Sequence, residues 1–311
     1  MGSITVRQID YDMWGACVQV TNGTVELVAT IDKGPRIIRY GFIGGANMFF
    51  EDKKDVISSF GEAFEPVGGG KWHIYGGHRL WTSPESIPRT TYPDNEPVAW
   101  RATEQGVVLT PPAERWNQLQ KEIEIVLDAE NGGVTVHHRV TNQGPWGAEF
   151  APWALSVMAP GGTAIVPQAT RDAGVLPNRA ISLWSYTKMN DERVTWGERF
   201  IVLKQSDVRH PFKIGTNNEA GWAAYNLGDT LFVKTFPYEL EAKYPDNGVN
   251  FEIYTNEHIL ELESLGELKT VKPGETVSHT ETWKLSGNFE LPAVADEAEI
   301  AKRLNAILGS A

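Results

Sequence analysis

The sequence predicts an all-β protein, and three observations lead to that prediction. The chain of 311 residues holds 30 Gly and 18 Pro, so turn-forming residues interrupt it often. Between those turns lie short runs of alternating apolar and polar residues, as at 24–31 and 119–127, and this alternation is typical of half-buried strands. Asn131 and two glycines separate the run 119–127 from the run 134–140, which predicts a hairpin.

The predicted elements follow one another along the chain as strands and one terminal helix. Near the C-terminus, apolar residues at helical spacing predict a helix over about 294–308, with acidic residues in its first turns. We find no fixed-period repeat and no low-complexity linker, so we expect a single β domain over 1–290 and a helix, within 291–311, packed on it. The strand-sized runs are 24–31, 119–127, 134–140, 199–203, 221–225, 230–236, 250–254, 258–265 and 276–285.

Composition excludes several classes of partner. The chain has 28 Lys and Arg against 40 Asp and Glu, a formal net charge of −12, and no basic stripe, which predicts no nucleic-acid and no membrane partner. A single cysteine, Cys17, permits no internal disulfide. The first residues lack the apolar core of a secretory signal, so we expect a cytoplasmic protein unless a leader has been removed. No metal-ligand motif or cofactor motif is present, and we expect neither group.

Residues 72–85 hold many side chains that can bind a ligand or transfer a proton, in one segment that also contains two glycines. Imidazoles, a guanidinium, large aromatic rings and a carboxyl group form the mixture that holds and deprotonates a hydroxylated ligand. The alternative interpretation is a turn whose aromatic rings fill a core edge and whose charges are solvated. The candidate residues of this segment are Trp72, His73, His78, Arg79, Trp81 and Glu85.

Glu261 and Glu263 form a second candidate site. Period two places both carboxyl groups on one face of a strand, with Leu260 and Leu262 on the other. Two acids on one buried face raise each other's pKa, so one could act as an acid or base near neutral pH. An outward polar stripe on a half-solvated strand is the alternative. His138 shares its face with valines, which indicates a core histidine.

Three further residues complete the set of candidate ligand contacts. Trp153 can stack on the flat C–H face of a sugar ring, although a tryptophan also serves as core. Lys213 can hydrogen-bond a hydroxyl or neutralise an acid, or it can be a solvated loop lysine. Arg36 follows the turn Gly34-Pro35 and precedes an apolar run, a position from which an arginine can reach inward.

Taken in order, these segments resemble the galactose-mutarotase-like superfamily of aldose epimerases, in an uncharacterised bacterial branch. The resemblance spans roughly residues 20 to 285. It is carried by the segments 25–38, 75–81 with 84–85, 140–142, 151–155, 261–266, 273–275 and 282–283.

The resemblance implies a β-supersandwich fold with a sugar-binding cleft on the concave face of its large sheet. In aldose epimerases of this type, a glutamate near the C-terminus removes the proton of the anomeric hydroxyl and a histidine protonates the ring oxygen. The resemblance places Glu263 or Glu261 at the base position and His73 or His78 at the position of the early histidine. The second histidine of those enzymes has no counterpart here, because residues 150–155 read Phe-Ala-Pro-Trp-Ala-Leu.

The functional expectation is therefore a protein that binds a mono- or oligosaccharide and is most similar to an aldose epimerase or mutarotase. A glycan hydrolase or lyase is the first alternative, since the same fold hosts such enzymes. A non-catalytic carbohydrate-binding protein is the second, and a purely structural role is the last.

Overall fold

The computed structural model describes residues 3–309. It contains two large β-sheets, a two-stranded sheet, two short 3₁₀ helices at Asp12–Trp14 and Glu62–Val67, and two α-helical segments. The first twelve strands are β1 (Thr5–Asp10), β2 (Ala16–Thr21), β3 (Val25–Thr30), β4 (Ile37–Phe42), β5 (Ser58–Ser59), β6 (Trp72–His73), β7 (Gly77–Ser83), β8 (Ala99–Ala102), β9 (Gly106–Thr110), β10 (Leu119–Leu127), β11 (Val134–Asn142) and β12 (Ala148–Met158). The remaining elements are β13 (Thr163–Pro167), β14 (Ile181–Leu183), β15 (Val194–Trp196), β16 (Phe200–Lys204), β17 (Phe212–Thr216), β18 (Trp222–Leu227), β19 (Thr230–Thr235), the single turn α1 (Pro245–Gly248), β20 (Phe251–Thr255), β21 (Leu260–Leu265), β22 (Lys269–Val271), β23 (Thr276–Ser286) and α2 (Glu297–Leu308).

The two large sheets pack face to face. The larger one, which we call the site sheet, has eleven strands in the order β1-β2-β3-β4-β7-β12-β21-β20-β17-β14, with β22 paired to β12. The second has ten strands in the order β15-β16-β13-β18-β19-β23-β11-β10-β9-β8. Side chains from both sheets form one hydrophobic cluster, in which Tyr40 and Leu262 of the site sheet meet Phe232 and Trp283 of the other. The predicted all-β sandwich is confirmed.

The alternation of the sequence accounts for this packing. Along β11 buried and half-buried residues alternate at every position, as a strand with one face on a core requires. The predicted hairpin is present, because β10 and β11 pair antiparallel from Leu119 opposite Asn142 to Leu127 opposite Val134.

The predicted C-terminal helix is also present, beginning three residues later than expected. The Asp296 side chain accepts the backbone N–H of Glu299 and caps the helix. Ile300 and Leu304 are buried against Ile165 and Leu231 of the ten-stranded sheet. Within residues 3–309, neither helical segment has the length and apolar character that a membrane crossing demands.

Candidate active site

A cavity of about 220 Å³ lies on the outer face of the site sheet, the face turned away from the ten-stranded sheet. Its floor is formed by β7, β12, β21, β20 and β17, and the segments 57–59, 72–74 and 85–91 contribute the walls. The strand register places Arg79, Leu155, Glu263 and Glu252 in one row across four neighbouring strands. The alternation of side chains along each strand therefore brings Arg79, Glu263 and Glu252 to the same face of the sheet.

Glu261 and Glu263 both belong to this floor. Leu260 and Leu262, between and beside them, pack in the core between the sheets, so the period-two pattern places both carboxyl groups outward as predicted. Both glutamates are nevertheless buried, with 8% and 0% of their surface exposed. The alternative of a solvated polar stripe on this strand is therefore wrong.

Glu261 is paired with an arginine that stacks on two indole rings. Nη2 of Arg79 donates to Oε1 of Glu261 at 3.0 Å, and the guanidinium lies 4.2 Å from the ring centre of Trp81 and 5.5 Å from that of Trp72. Burial raises the pKa of Glu261, although the Arg79 charge opposes this shift. Burial likewise lowers the pKa of Arg79, opposed by Glu261.

Glu263 takes part in a second charged group centred on Lys213. Nζ of Lys213 lies 2.9 Å from Oε2 of Glu263 and 2.7 Å from Oε2 of Glu252. Trp153 donates its indole N–H to the same Glu263 oxygen at 3.0 Å, and the ammonium lies 4.7 Å from the ring centres of Trp153 and Trp184. Burial works against the charge on Lys213, but the two carboxyl groups outweigh it and raise its pKa well above the usual value.

Several buried polar atoms around the cavity have no hydrogen-bond partner among the described residues. The unpaired atoms that line it are Nε1 of Trp72, Nε and Nη1 of Arg79, Oγ1 of Thr91 and Oε1 of Glu263. Buried polar groups are normally satisfied, because an unpaired one costs about 1–3 kcal/mol. This concentration of donors and acceptors around one cavity is suited to a ligand with many hydroxyl groups.

Most of the residues proposed from the sequence meet at this cavity. The predicted residues that line it are Trp72, Arg79, Trp81, Glu85, Trp153, Lys213, Glu261 and Glu263. Three other predicted residues do not line it: His73, His78 and Arg36.

His78 lies on the opposite face of the site sheet, and its expected position in the cleft requires correction. It precedes Arg79 on β7, and adjacent strand residues point to opposite faces. Its ring is fully buried between the sheets, 2.9 Å from Oγ of Ser156 and 2.7 Å from Nε2 of His138. Burial lowers the pKa of His78 well below its usual value. A substrate in the cavity is therefore separated from this imidazole by the sheet itself.

His73 and Arg36 are engaged elsewhere. Nδ1 of His73 lies 2.6 Å from Oδ1 of Asp55, and the ring stacks on Tyr75. His73 follows Trp72 on β6, so the indole reaches the cavity and the imidazole turns away. The Arg36 guanidinium binds Asp94 at 2.5 Å and the carbonyl of Ile74 at 3.1 Å, which holds the segment before β7 in place.

Glu252, Tyr186 and Tyr254 are part of the site and were not proposed from the sequence. The two tyrosines line the cavity, and burial raises the pKa of each phenol. Glu252 is a single acid between Phe251 and Ile253 on β20, a buried charge in an apolar strand that could have drawn attention to it.

A buried polar network lies directly beneath this floor, between the sheets. It includes His78, His138 and Glu281, whose ligand atoms are close enough together for a metal ion. The 2.7 Å separation of the two imidazole nitrogens is that of a hydrogen bond, and the Lys234 ammonium lies 2.6 Å from Glu281. A cation thus already compensates Glu281, so the arrangement favours a hydrogen-bonded network over a metal centre.

Comparison with proteins of known structure shows which fold this chain has. Neither protein-family models nor curated proteins gave a match to the sequence. Among solved structures, a proposed aldose 1-epimerase from Klebsiella pneumoniae is 13% identical with a TM-score of 0.62, covering 100% of this chain and 89% of that one. A galactose mutarotase-like protein from Lactobacillus casei is 11% identical with a TM-score of 0.54, over 87% and 100%.

A third similar structure is a TPR-domain containing protein from Parabacteroides distasonis, 13% identical with a TM-score of 0.58. The match covers 90% of this chain but 48% of that one, so the chain spans about half its length. These similarities show that the chain has the galactose-mutarotase-like fold, as the sequence resemblance predicted.

Proposed function

We propose that the protein binds a neutral sugar in the cavity on the site sheet and interconverts its anomers by acid/base chemistry, as an aldose epimerase-like enzyme. One observation carries the proposal: Glu263 is fully buried at the cavity floor, with Oε2 held by Trp153 and Lys213 and with no partner for Oε1 among residues 3–309. A carboxylate fixed by two donors, with its second oxygen available to the ligand, is prepared to accept a proton. The fold similarity to mutarotase-like proteins supports the same assignment.

The aromatic walls support a sugar rather than another polar ligand. Trp72, Trp81 and Trp153 surround the charged floor, and indole faces pack against the apolar C–H face of a pyranose while polar groups meet its hydroxyls. In the proposed reaction Glu263 removes the proton of the anomeric hydroxyl, and the C1–O5 bond breaks as the ring oxygen takes up a proton. The C1–C2 bond of the open-chain aldehyde then rotates, and closure on its other face gives the second anomer.

The charges of the site favour a neutral sugar. Both cations that line the cavity, Arg79 and Lys213, are already paired with Glu261, Glu252 and Glu263. A phosphate or uronate would enter a site whose described lining carries no uncompensated positive charge, and like-charge repulsion would oppose it. This weakens the lyase alternative, since a uronate lyase needs cations for the acidic sugar.

A non-catalytic sugar-binding protein is the second candidate, and one observation favours it. None of the described residues that line the cavity is a histidine, so the imidazole acid expected from the family resemblance is missing. Calorimetric titration distinguishes the two: a binding protein would retain its affinity in the Glu261→Gln/Glu263→Gln double variant and would turn over no sugar.

Exchange between anomers, followed by NMR in a panel of free neutral aldoses, tests the enzymatic proposal. We expect the wild type to accelerate exchange for at least one sugar and Glu263→Gln to lose about 10²–10⁴-fold of that rate. Glu104→Gln, a matched change at an exposed bend between β8 and β9 of the ten-stranded sheet, should match the wild type. No acceleration for any sugar would contradict the proposal, and release of reducing ends from a polysaccharide would favour a hydrolase.

A further inference from the structure

Three buried carboxyl groups share two cations at the floor of the site. Resting on the proposed function, we propose that Glu252 is the proton donor of the reaction and works across Lys213 with Glu263, which acts as the base. Glu252 would thereby perform the task that the family resemblance gives to a histidine. The inference depends on the strand register, on the hydrogen bonds of the two glutamates and on the balance of charge.

The register sets the two glutamates side by side. Glu252 on β20 lies directly opposite Glu263 on β21, and both side chains point to the outer face of the sheet. Oε2 of each contacts the same Lys213 nitrogen, at 2.7 Å and 2.9 Å. The two oxygens are therefore no farther apart than those two distances laid end to end, and a single sugar can reach both.

Hydrogen bonding distinguishes the two groups. Glu263 accepts from the Trp153 indole and from Lys213, as an ionised carboxylate requires. Among the described residues, Glu252 has a single polar contact, that of Oε2 with the Lys213 ammonium at 2.7 Å, and its Oε1 has no partner. As an ionised carboxylate, Glu252 would be 1% exposed with this one contact, which stabilises the charge less than the two donors stabilise that of Glu263, so a proton resides more favourably on Glu252.

The charge count leads to the same assignment. If Glu252, Glu261 and Glu263 were all ionised, Arg79 and Lys213 would leave one buried negative charge uncompensated. A proton on Glu252 removes that excess. Burial raises the pKa of Glu252 well above its usual value; Lys213 opposes the shift, and Glu263 and Asp246 add to it.

Glu252 is also placed to meet the ligand. It lines a second cavity of about 460 Å³ together with Trp184 and Asp246. This cavity shares Glu85, Ile87 and Trp153 with the main one, so the two lie side by side. A sugar stacked on Trp153 lies between the base on one side and the donor on the other.

The proposed step is balanced in protons and electrons. Glu263 takes the proton of the anomeric hydroxyl, the O–H electron pair forms the C1=O1 bond, and the C1–O5 pair leaves with the ring oxygen. Glu252 delivers its proton to O5, and the negative charge passes from Glu263 to Glu252. Lys213 contacts both carboxyl groups, so it pairs with the charge before and after the transfer. Rotation about the C1–C2 bond then presents the opposite face of C1 to O5, and ring closure there reverses each proton transfer.

The pH dependence of anomer exchange tests this assignment in the wild type, Glu252→Gln, Glu263→Gln and Glu104→Gln. A donor must be protonated, so we expect the wild-type rate to fall at high pH. Glu252→Gln should lower kcat by about 10²–10⁴-fold with little change in KM and should remove the alkaline limb. A rate within twofold of wild type in Glu252→Gln, or loss of the alkaline limb in Tyr186→Phe instead, would overturn the proposal.

Infrared difference spectroscopy between the wild type and each variant supplies a readout that does not depend on turnover. At neutral pH we expect a protonated carboxyl C=O band in the wild type that Glu252→Gln abolishes and Glu263→Gln retains. A band unaffected by Glu252→Gln overturns the assignment even in an inactive protein. If no sugar is turned over yet the band behaves as expected, the proposed function fails while the protonation of Glu252 stands. Circular dichroism confirms that each variant is folded.

Discussion

Replacing Lys213 with methionine tests the electrostatic account of the site most severely. The ammonium contacts Glu252 at 2.7 Å and Glu263 at 2.9 Å. One such ion pair at an effective dielectric constant of about 20 is worth about 6 kcal/mol before desolvation is counted. Because charging Lys213 in the interior costs part of that gain, we expect a net loss of about 3–5 kcal/mol in unfolding free energy at neutral pH, as for other buried pairs broken on one side.

The sign of the pH dependence follows from the carboxyl groups left behind. Without the cation, the uncompensated negative charge left in the buried site makes protonation easier in the folded state than in the unfolded chain, where a glutamate has a pKa of about 4.3. The penalty is therefore fully present at neutral pH and shrinks as the pH falls toward ~4.3, where the folded variant takes up protons first. Urea denaturation at two pH values measures this, with an expected shift in midpoint of about 1–1.7 M near pH 7 for a slope of ~3 kcal/mol/M.

Two matched variants make the result interpretable. Lys54→Met removes an exposed lysine and should leave the midpoint almost unchanged. Adding Glu263→Gln to Lys213→Met should recover part of the lost stability, because the ionised partner of Lys213 is then removed as well. A loss below about 1 kcal/mol, or a loss of equal size at both pH values, would refute the reasoning.

Further predictions address the aromatic wall and the buried histidines. Trp153→Leu should weaken sugar binding by about 2–12-fold through lost stacking, with Trp153→Phe in between; equal affinities by calorimetry would exclude Trp153 as a platform. His78→Asn should lower the melting temperature yet leave sugar affinity within twofold, because the ring lies behind the sheet; a large loss of affinity in a folded variant would place His78 in the site. Burial lowers the pKa of His138 to about 3, so its contribution to stability is present above ~6.5 and is lost as the pH falls below that value. Between pH 6 and 4, His138→Gln should therefore flatten the decline of unfolding free energy by about 1.4 kcal/mol per pH unit, and parallel curves in urea titrations would count against this.

The strands and their faces could be predicted because the chain alternates so regularly. The run 119–127 became β10 with the same bounds, and the period of two placed Glu261 and Glu263 together. In the segment 72–85 the same alternation separates the side chains into two faces, but it does not show which face is buried in the core. His78 and Arg79 had to point to opposite faces, and only the packing of the ten-stranded sheet decides which face is core.

Glu252 shows what local sequence cannot supply. A single acid on a strand has no pattern of its own, and its importance comes from the register that sets it opposite Glu263 and beside Lys213. Those three residues span 213 to 263 in the chain and meet through two strand pairings. The resemblance likewise predicted a histidine at the site, whereas the described residues that line the two cavities include carboxyl groups and no histidine.

The indole N–H signals of the tryptophans test the central claim, a sugar site on the outer face of the site sheet, most directly. Trp72 has an unpaired Nε1 at the cavity and Trp153 donates to Glu263 there, whereas Trp14 and Trp283 donate to Glu51 and Glu281 away from it. In ¹H–¹⁵N spectra assigned with Trp→Phe variants, titration with the sugar whose anomers exchange fastest should shift the signals of Trp72 and Trp153 saturably and leave those of Trp14 and Trp283 in place. Unchanged signals for Trp72 and Trp153 at saturating sugar would contradict the account.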